Sequence, residues 1–249
     1  MSKHVIQQGG VDEPIVIVYF VADRLFDDLR ESIGPHATII AFTSRPPEPI
    51  THTLQELGPG PRILVGYSAG CQDVRAALWA GVEVDAVIVI DGTHASLPPE
   101  PRQLACWAAC ADRARRGEML FVATCTQQTY VETQLAKGER YLSTVSVLEQ
   151  VTGAELRARH GLIERHEGDL HLHGYASAIC DHDAHVRQQR QVLPEMLRRY
   201  LRPWLERQAS PADAPCGLTD EDRAQASAAV AGSLRSLADG LDHGPKGDA

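Results

Sequence analysis

The chain reads as an α/β protein: a mostly parallel central sheet with helices on both faces, a three-layer sandwich. Two observations predict this. Short, continuous apolar runs recur along the sequence, and segments with helical character alternate with them. Runs without polar alternation are what strands look like when both sheet faces are covered. The predicted strands are Ile15–Val21, Thr38–Phe42, Arg62–Val65, Ala86–Ile90, Met119–Ala123 and Leu170–His173. The predicted helices are Leu25–Ser32, Thr51–Leu57, Ala69–Ala80, Glu100–Arg116, Val131–Gln134 and Ser143–Ala158.

From Val186 onward, Leu193, Met196, Leu197, Tyr200, Leu201, Trp204 and Leu205 recur at spacings of three and four, which predicts an amphipathic closing helix. Pro194 kinks it or lies at a bend. Past it the composition shifts to Ala, Ser, Asp, Pro and Gly. The expected organisation is a core over residues 1–207 and a mobile tail over 208–249, with a weak helix at Thr219–Leu237.

The bulk numbers fit one substantial core. The chain has 249 residues, 43% hydrophobic and 23% charged, with few aromatics, so aliphatic side chains must fill the interior. A formal net charge of -9 argues against nonspecific nucleic-acid binding, which needs a basic field. The amino terminus lacks an apolar targeting stretch and no run is long enough to span a membrane. A cytoplasmic protein with no membrane partner is therefore expected. The cysteines Cys71, Cys106, Cys110, Cys125, Cys180 and Cys216 show no secreted framework and no C-x-x-C pair, so reduced thiols are expected. Cys106 and Cys110, one helical turn apart, read as small residues on a core face.

The chemistry concentrates at Gly66-Tyr67-Ser68-Ala69-Gly70, between the apolar run Ile63-Leu64-Val65 and a helix rich in small residues. A Gly-x-Ser-x-Gly pattern in that context is a nucleophile elbow: a strand turns sharply into a helix and holds the serine in a strained conformation, hydroxyl outward. Serine needs a base within reach and a third group to orient that base. Reactive groups gather at the carboxyl ends of strands, so the base belongs after the last strand, in the segment 171–185. His185, just ahead of the closing helix, is the expected base and His182 its rival. His171 and His173 share one face of the strand and read as packed or edge residues.

Asp91 directly follows the strand Ala86–Ile90, which should neighbour the nucleophile strand, and is the expected acid; a turn-forming Asp-Gly is the other reading. After Met119–Ala123 no carboxylate occurs until Glu132, and Asp181 and Asp183 are backup orienters or loop charges. For the oxyanion hole, one N–H is expected from Ala69 and a second from Val21 or Phe20 after the first core strand. Tyr67 is the expected substrate-binding side chain, with Phe20, Thr93, His94 and Tyr130 as further lining candidates; the other reading of all five is that they only pack.

With these residues the chain resembles the α/β-hydrolase superfamily over roughly residues 15–207: an elbow at Ser68, the order Ser68, Asp91, His185, and a closing helix. The resemblance implies a serine esterase, lipase, thioesterase or amidase acting on a small-molecule acyl substrate through an acyl-enzyme, without cofactor or metal. Two departures stand out. The His-Gly oxyanion loop common in the superfamily is replaced by Phe20-Val21-Ala22-Asp23. The acid follows the strand where pancreatic-type lipases carry it, rather than the later strand used by most relatives. The full fold has two extra amino-terminal strands, yet only Lys3–Ile6 precedes Ile15, so the sheet looks minimal, as in cutinase-like enzymes. Only Thr129–Glu167 is long enough to cover a site. Two alternatives compete: a metal-dependent hydrolase using His171, His173, Asp181, His182, Asp183 and His185, and a noncatalytic module on a hydrolase scaffold. Substrate identity and oligomeric state stay open.

Overall fold

Each apolar run forms a strand of one eight-stranded sheet. The computed structural model describes residues 3–44, 59–126, 141–185 and 192–209. The strands are β1 (Lys3–Gln7), β2 (Ile15–Tyr19), β3 (Thr38–Phe42), β4 (Arg62–Tyr67), β5 (Ala86–Ile90), β7 (Leu120–Thr126), β9 (Leu162–Glu167) and β10 (Leu170–Tyr175). Their order is β1-β3-β2-β4-β5-β7-β10-β9. From β3 to β10 every neighbouring pair is parallel. The edge strands β1 and β9 are antiparallel to β3 and β10. A separate two-stranded ribbon pairs β6 (Ala95–Ser96) with β8 (Tyr141–Leu142).

Alternation along the buried strands divides the core in two. Ile17, Tyr19, Leu64, Val87, Val89 and Phe121 point to one face, against α2 (Gly70–Trp79), α3 (Pro101–Arg115) and α4 (Thr144–Thr152). Val16, Val18, Ile63, Val65, Ile88 and Val122 point to the other, against α1 (Phe26–Ile33), α5 (Val192–Met196) and α6 (Arg202–Ala209). This is the layered α/β arrangement expected of the sequence. Because β3 lies outside β2 while β4 lies on its other side, the winding direction reverses between β2 and β4. A crevice opens at the carboxyl ends of strands at such a reversal, where ligands bind in open α/β sheets.

Local chemistry sets the helix limits. Pro101 at the first helical position and a reciprocal capping box between Glu100 and Gln103 start α3. Ser143 caps α4 by accepting from the Ser146 N–H, and the helix stops at Gly153 in the left-handed region, well short of the expected Ala158. The closing helix changes character over Leu197–Leu201, where Arg202 donates to the Leu197 carbonyl five residues back. The irregularity is this π turn, and Pro194 sits in the first turn of α5, where its missing N–H has no intrahelical acceptor to lose.

Strand β9 was not anticipated, since Leu162-Ile-Glu-Arg-His-Glu167 has no apolar run and is largely solvent-facing. It forms because β10 offers an unpaired edge across the tight Gly168-Asp169 turn. The compact unit closes at Glu206. The expected helices at Thr51–Leu57, Val131–Gln134 and Thr219–Leu237, the start of the closing helix at Val186, and Tyr130, Glu132 and Cys216 lie outside the described residues. Among the described residues no helix is long and apolar enough to cross a membrane.

Candidate active site

Among the described residues, the non-glycine residues with positive φ are Phe20 (62°), Ser68 (51°) and Asp91 (47°). Each directly follows one of three adjacent strands, β2, β4 and β5. Left-handed backbone is costly for residues with a Cβ and persists where surrounding structure enforces it, so strain concentrated at three neighbouring strand ends marks a site.

The elbow is tight for steric reasons. Ser68 N–H donates to the Ile90 carbonyl (2.9 Å), while the Ser68 carbonyl accepts from Cys71 N–H (3.1 Å) as α2 begins. A Cβ on Gly66 would lie 2.8 Å from the Cys71 nitrogen, and one on Gly70 would lie 2.5 Å from the Tyr19 carbonyl oxygen. Gly92 is closer still, where a Cβ would meet the Ser68 carbonyl oxygen at 2.0 Å. The turn after β5 is therefore packed directly on the Ser68 turn.

Asp91 is fully buried. Its Oδ1 accepts from the Thr126 backbone N–H (3.0 Å), and its own N–H donates to the Thr124 carbonyl (3.0 Å). Its Oδ2 lies 2.8 Å from His182 Nδ1, and His182 Nε2 lies 2.9 Å from Ser68 Oγ. With the Nδ1 proton donated to the carboxylate, Nε2 is an acceptor for the serine hydroxyl. The ring is about one third exposed, open enough to meet a ligand.

The histidine between Ser68 and Asp91 is His182, not His185, the expected base. After β10 the chain folds into a short 3-10 turn, Asp183–His185, capped by Asp181 Oδ1 accepting from Ala184 N–H (2.8 Å). That turn rotates His185 inward. Its Nδ1 pairs with the Asp181 carbonyl (2.8 Å), and its ring packs edge-on against Tyr175. Burial pushes its pKa down, so it is a neutral anchor of the loop that carries His182. Asp181 is spent on the cap and Asp183 is exposed.

Two other expected site residues have identified partners. Tyr67 is buried, and its hydroxyl donates to the His182 carbonyl (3.1 Å) while its ring stacks on the imidazole (centroids 5.2 Å, 21°). These contacts hold the histidine in place. Val21 N–H donates to the Phe42 carbonyl (3.1 Å), which commits that donor to the sheet edge. Phe20, strained and partly exposed at 38%, is the residue left at this wall. Ala69 opens α2, and its N–H is one of the helix-start donors without an intrahelical acceptor.

His171 and His173 sit apart, around Tyr200. His173 Nε2 meets the Tyr200 hydroxyl (2.8 Å), and His171 stacks on the Tyr200 ring (4.2 Å) with its Nδ1 3.0 Å from His166 Nδ1. Burial holds the His173 pKa at about 4. The six residues of the metal-dependent alternative thus do not converge, and among the described residues no three His, Cys, Asp or Glu side chains gather as a metal site. No disulfide joins the five described cysteines, and burial pushes Cys106 and Cys110 up to about 11 and about 12, which suits inert thiols.

Sequence reasoning missed two contributors. Thr126 acts through its backbone N–H, which leaves no trace in residue type. Gln72, four residues after Ser68, donates from Nε2 to the Gly92 carbonyl (2.6 Å); a polar residue in the first turn after the elbow is the only sequence signal it offers. No protein-family model matches the chain, and no curated protein matches it either.

Proposed function

We propose that the protein is a serine hydrolase of the α/β-hydrolase type that cleaves a carboxylic ester, or a thioester or amide, through an acyl-enzyme on Ser68. The observation that carries this reading is the imidazole of His182 bridging Ser68 Oγ at 2.9 Å and buried Asp91 at 2.8 Å. The strained backbone at Ser68, the position of the site at the reversal between β2 and β4, and the antiparallel first strand beside a parallel sheet support it further.

In this mechanism Ser68 Oγ attacks the substrate carbonyl carbon as its proton passes to His182 Nε2. Asp91 stabilises the resulting imidazolium through Nδ1–H. The oxyanion takes its hydrogen bonds from backbone N–H groups, with Ala69 and Phe20 the donors assigned by position. His182 then protonates the leaving group, and water, activated by the same imidazole, releases the acid and restores Ser68. The low exposure of Asp91 keeps its field concentrated on His182, because a low-dielectric setting strengthens the interaction.

The test is labelling with a fluorophosphonate probe, read by intact mass and peptide mapping. A single adduct on Ser68 that disappears in Ser68→Ala is expected. Equal labelling of the folded Ser68→Ala protein would sink the assignment.

A further inference from the structure

The nucleophile turn and the acid turn are joined by one side chain. Gln72 lies in the first turn of α2, with its backbone N–H donating to the Ala69 carbonyl (3.0 Å). Its side chain leaves the helix and reaches the loop after β5, where Nε2 donates to the Gly92 carbonyl at 2.6 Å. His94 Nδ1 lies 3.4 Å from the same nitrogen. One turn further along α2, Arg75 donates from Nη1 to the His94 carbonyl (3.0 Å). Helix α2 thus grips the segment Gly92–His94 at the carbonyls of its first and last residues.

That segment directly follows Asp91, whose carboxylate is held at Oδ1 by the Thr126 N–H and faces His182 with Oδ2. Asp91 has φ 47°, and the peptide that follows leads into a glycine, whose backbone is intrinsically free to rotate. Gln72 donates to the Gly92 carbonyl, and His94 makes a second hydrogen bond to the Gly92 backbone. The rest of the Gln72 amide argues that its bond has a use: among the described residues, no hydrogen-bond partner faces the buried Gln72 Oε1. An orphaned buried acceptor is destabilising, and a methionine would fill the space without one. His94 is suited to its part, since burial holds its pKa at about 4 and leaves it neutral.

We propose that Gln72 is a positioning residue for the Ser68, His182 and Asp91 relay, locking the Asp91–Gly92 turn against the helix that carries the nucleophile. This rests on the reading of Ser68 as nucleophile. Small displacements of a reacting constellation are costly, on the order of a hundredfold for about 1 Å.

The experiment compares the rate of fluorophosphonate labelling against pH for the full-length wild type, Gln72→Met and Gln72→Glu, with folded content followed by circular dichroism. Gln72→Met, close in volume but without the donor, should label Ser68 roughly 10- to 100-fold more slowly. Gln72→Glu supplies a donor only when protonated, so its rate relative to wild type should rise as pH falls. The charged and titratable groups around the position are Asp73 and Arg75 on α2, Asp91 and His94 on the loop, and His182. If the new carboxylate acted only through its charge, it would raise the basicity of His182 and the ratio would fall with pH instead. Wild-type labelling by Gln72→Met, or a flat or falling ratio for Gln72→Glu, overturns the role of Gln72. Should Gln72→Met not fold, the Gln72→Glu ratio decides alone. A wild type that is not labelled at Ser68 overturns the nucleophile assignment itself, and this inference with it.

Discussion

Two groups of histidines flank β10, and they differ in what surrounds each ring. His166, His171 and His173 crowd around Tyr200 at the sheet edge, where His173 is fully buried between a phenol and Glu164. His182, in the loop beyond the strand, lies between a buried carboxylate and a hydroxyl and is partly open to solvent. An imidazole can shuttle protons when one nitrogen faces a fixed acceptor and the other faces a reactive proton. The geometry of His182 meets both conditions, whereas the rings of the edge group pack on Tyr200 and on one another. His185, three residues from His182, falls on the packing side of the same division.

The largest test of this contrast uses the two loop histidines. His182→Ala should lower hydrolysis and probe labelling by about three to six orders of magnitude, as loss of a triad member does elsewhere. His185→Ala should instead lower the melting temperature while the folded fraction keeps labelling within about tenfold of wild type, because its Nδ1 only ties the loop to Asp181. Labelling per folded molecule separates the two effects. A reversed pattern would return the base to His185.

A second change acts at the acid. Asp91→Asn keeps the shape but offers His182 an amide in place of a carboxylate, which permits the wrong tautomer and removes the stabilisation of the imidazolium. A loss of about 10⁴ in kcat is expected. Thermal stability should change much less, since the Asn oxygen can still accept from Thr126 N–H. Full retained activity would mean that Asp91 serves only the Asp-Gly turn.

What the sequence made legible was whatever depends on local pattern. The apolar runs located the parallel strands from β2 to β10, and the spacing of small residues around Ser68 located the elbow, because steric demands there are met by residue type. Asp91 was reachable because a strand end fixes its place. The choice between His182 and His185 turned on how the chain rotates after β10, and that rotation comes from a 3-10 turn closed by Asp181, which periodicity does not encode. The contact of Tyr67 with His182 was not legible for a related reason: alternation says which face a residue takes, and its partner, the His182 carbonyl, lies 115 residues away. Strand β9 carries no apolar signature because it borrows its stability from the edge of β10.

The smallest effect tests the packing side of the comparison. Burial holds His173 at a pKa of about 4, below the value of about 6.5 for an exposed imidazole in the unfolded chain. Between those values the unfolded chain binds the extra proton, so stability is fully present above pH about 6.5 and is lost as pH falls toward 4. The groups around the ring are Glu164, Arg199, His166, His171 and Tyr200. Glu164 is itself held below its ordinary range, chiefly by its hydrogen bond to Arg199, so its own contribution is lost only at lower pH and leaves the upper window to the imidazoles. His173→Gln removes the titration and keeps a polar group facing Tyr200. Wild type should lose about 1–2 kcal/mol more than this variant between pH about 7 and about 5, read from urea midpoints. Parallel losses in the two proteins would mean that His173 is protonated while folded, with Glu164 as its counter-ion, and the division between chemical and packing histidines would fail at that residue.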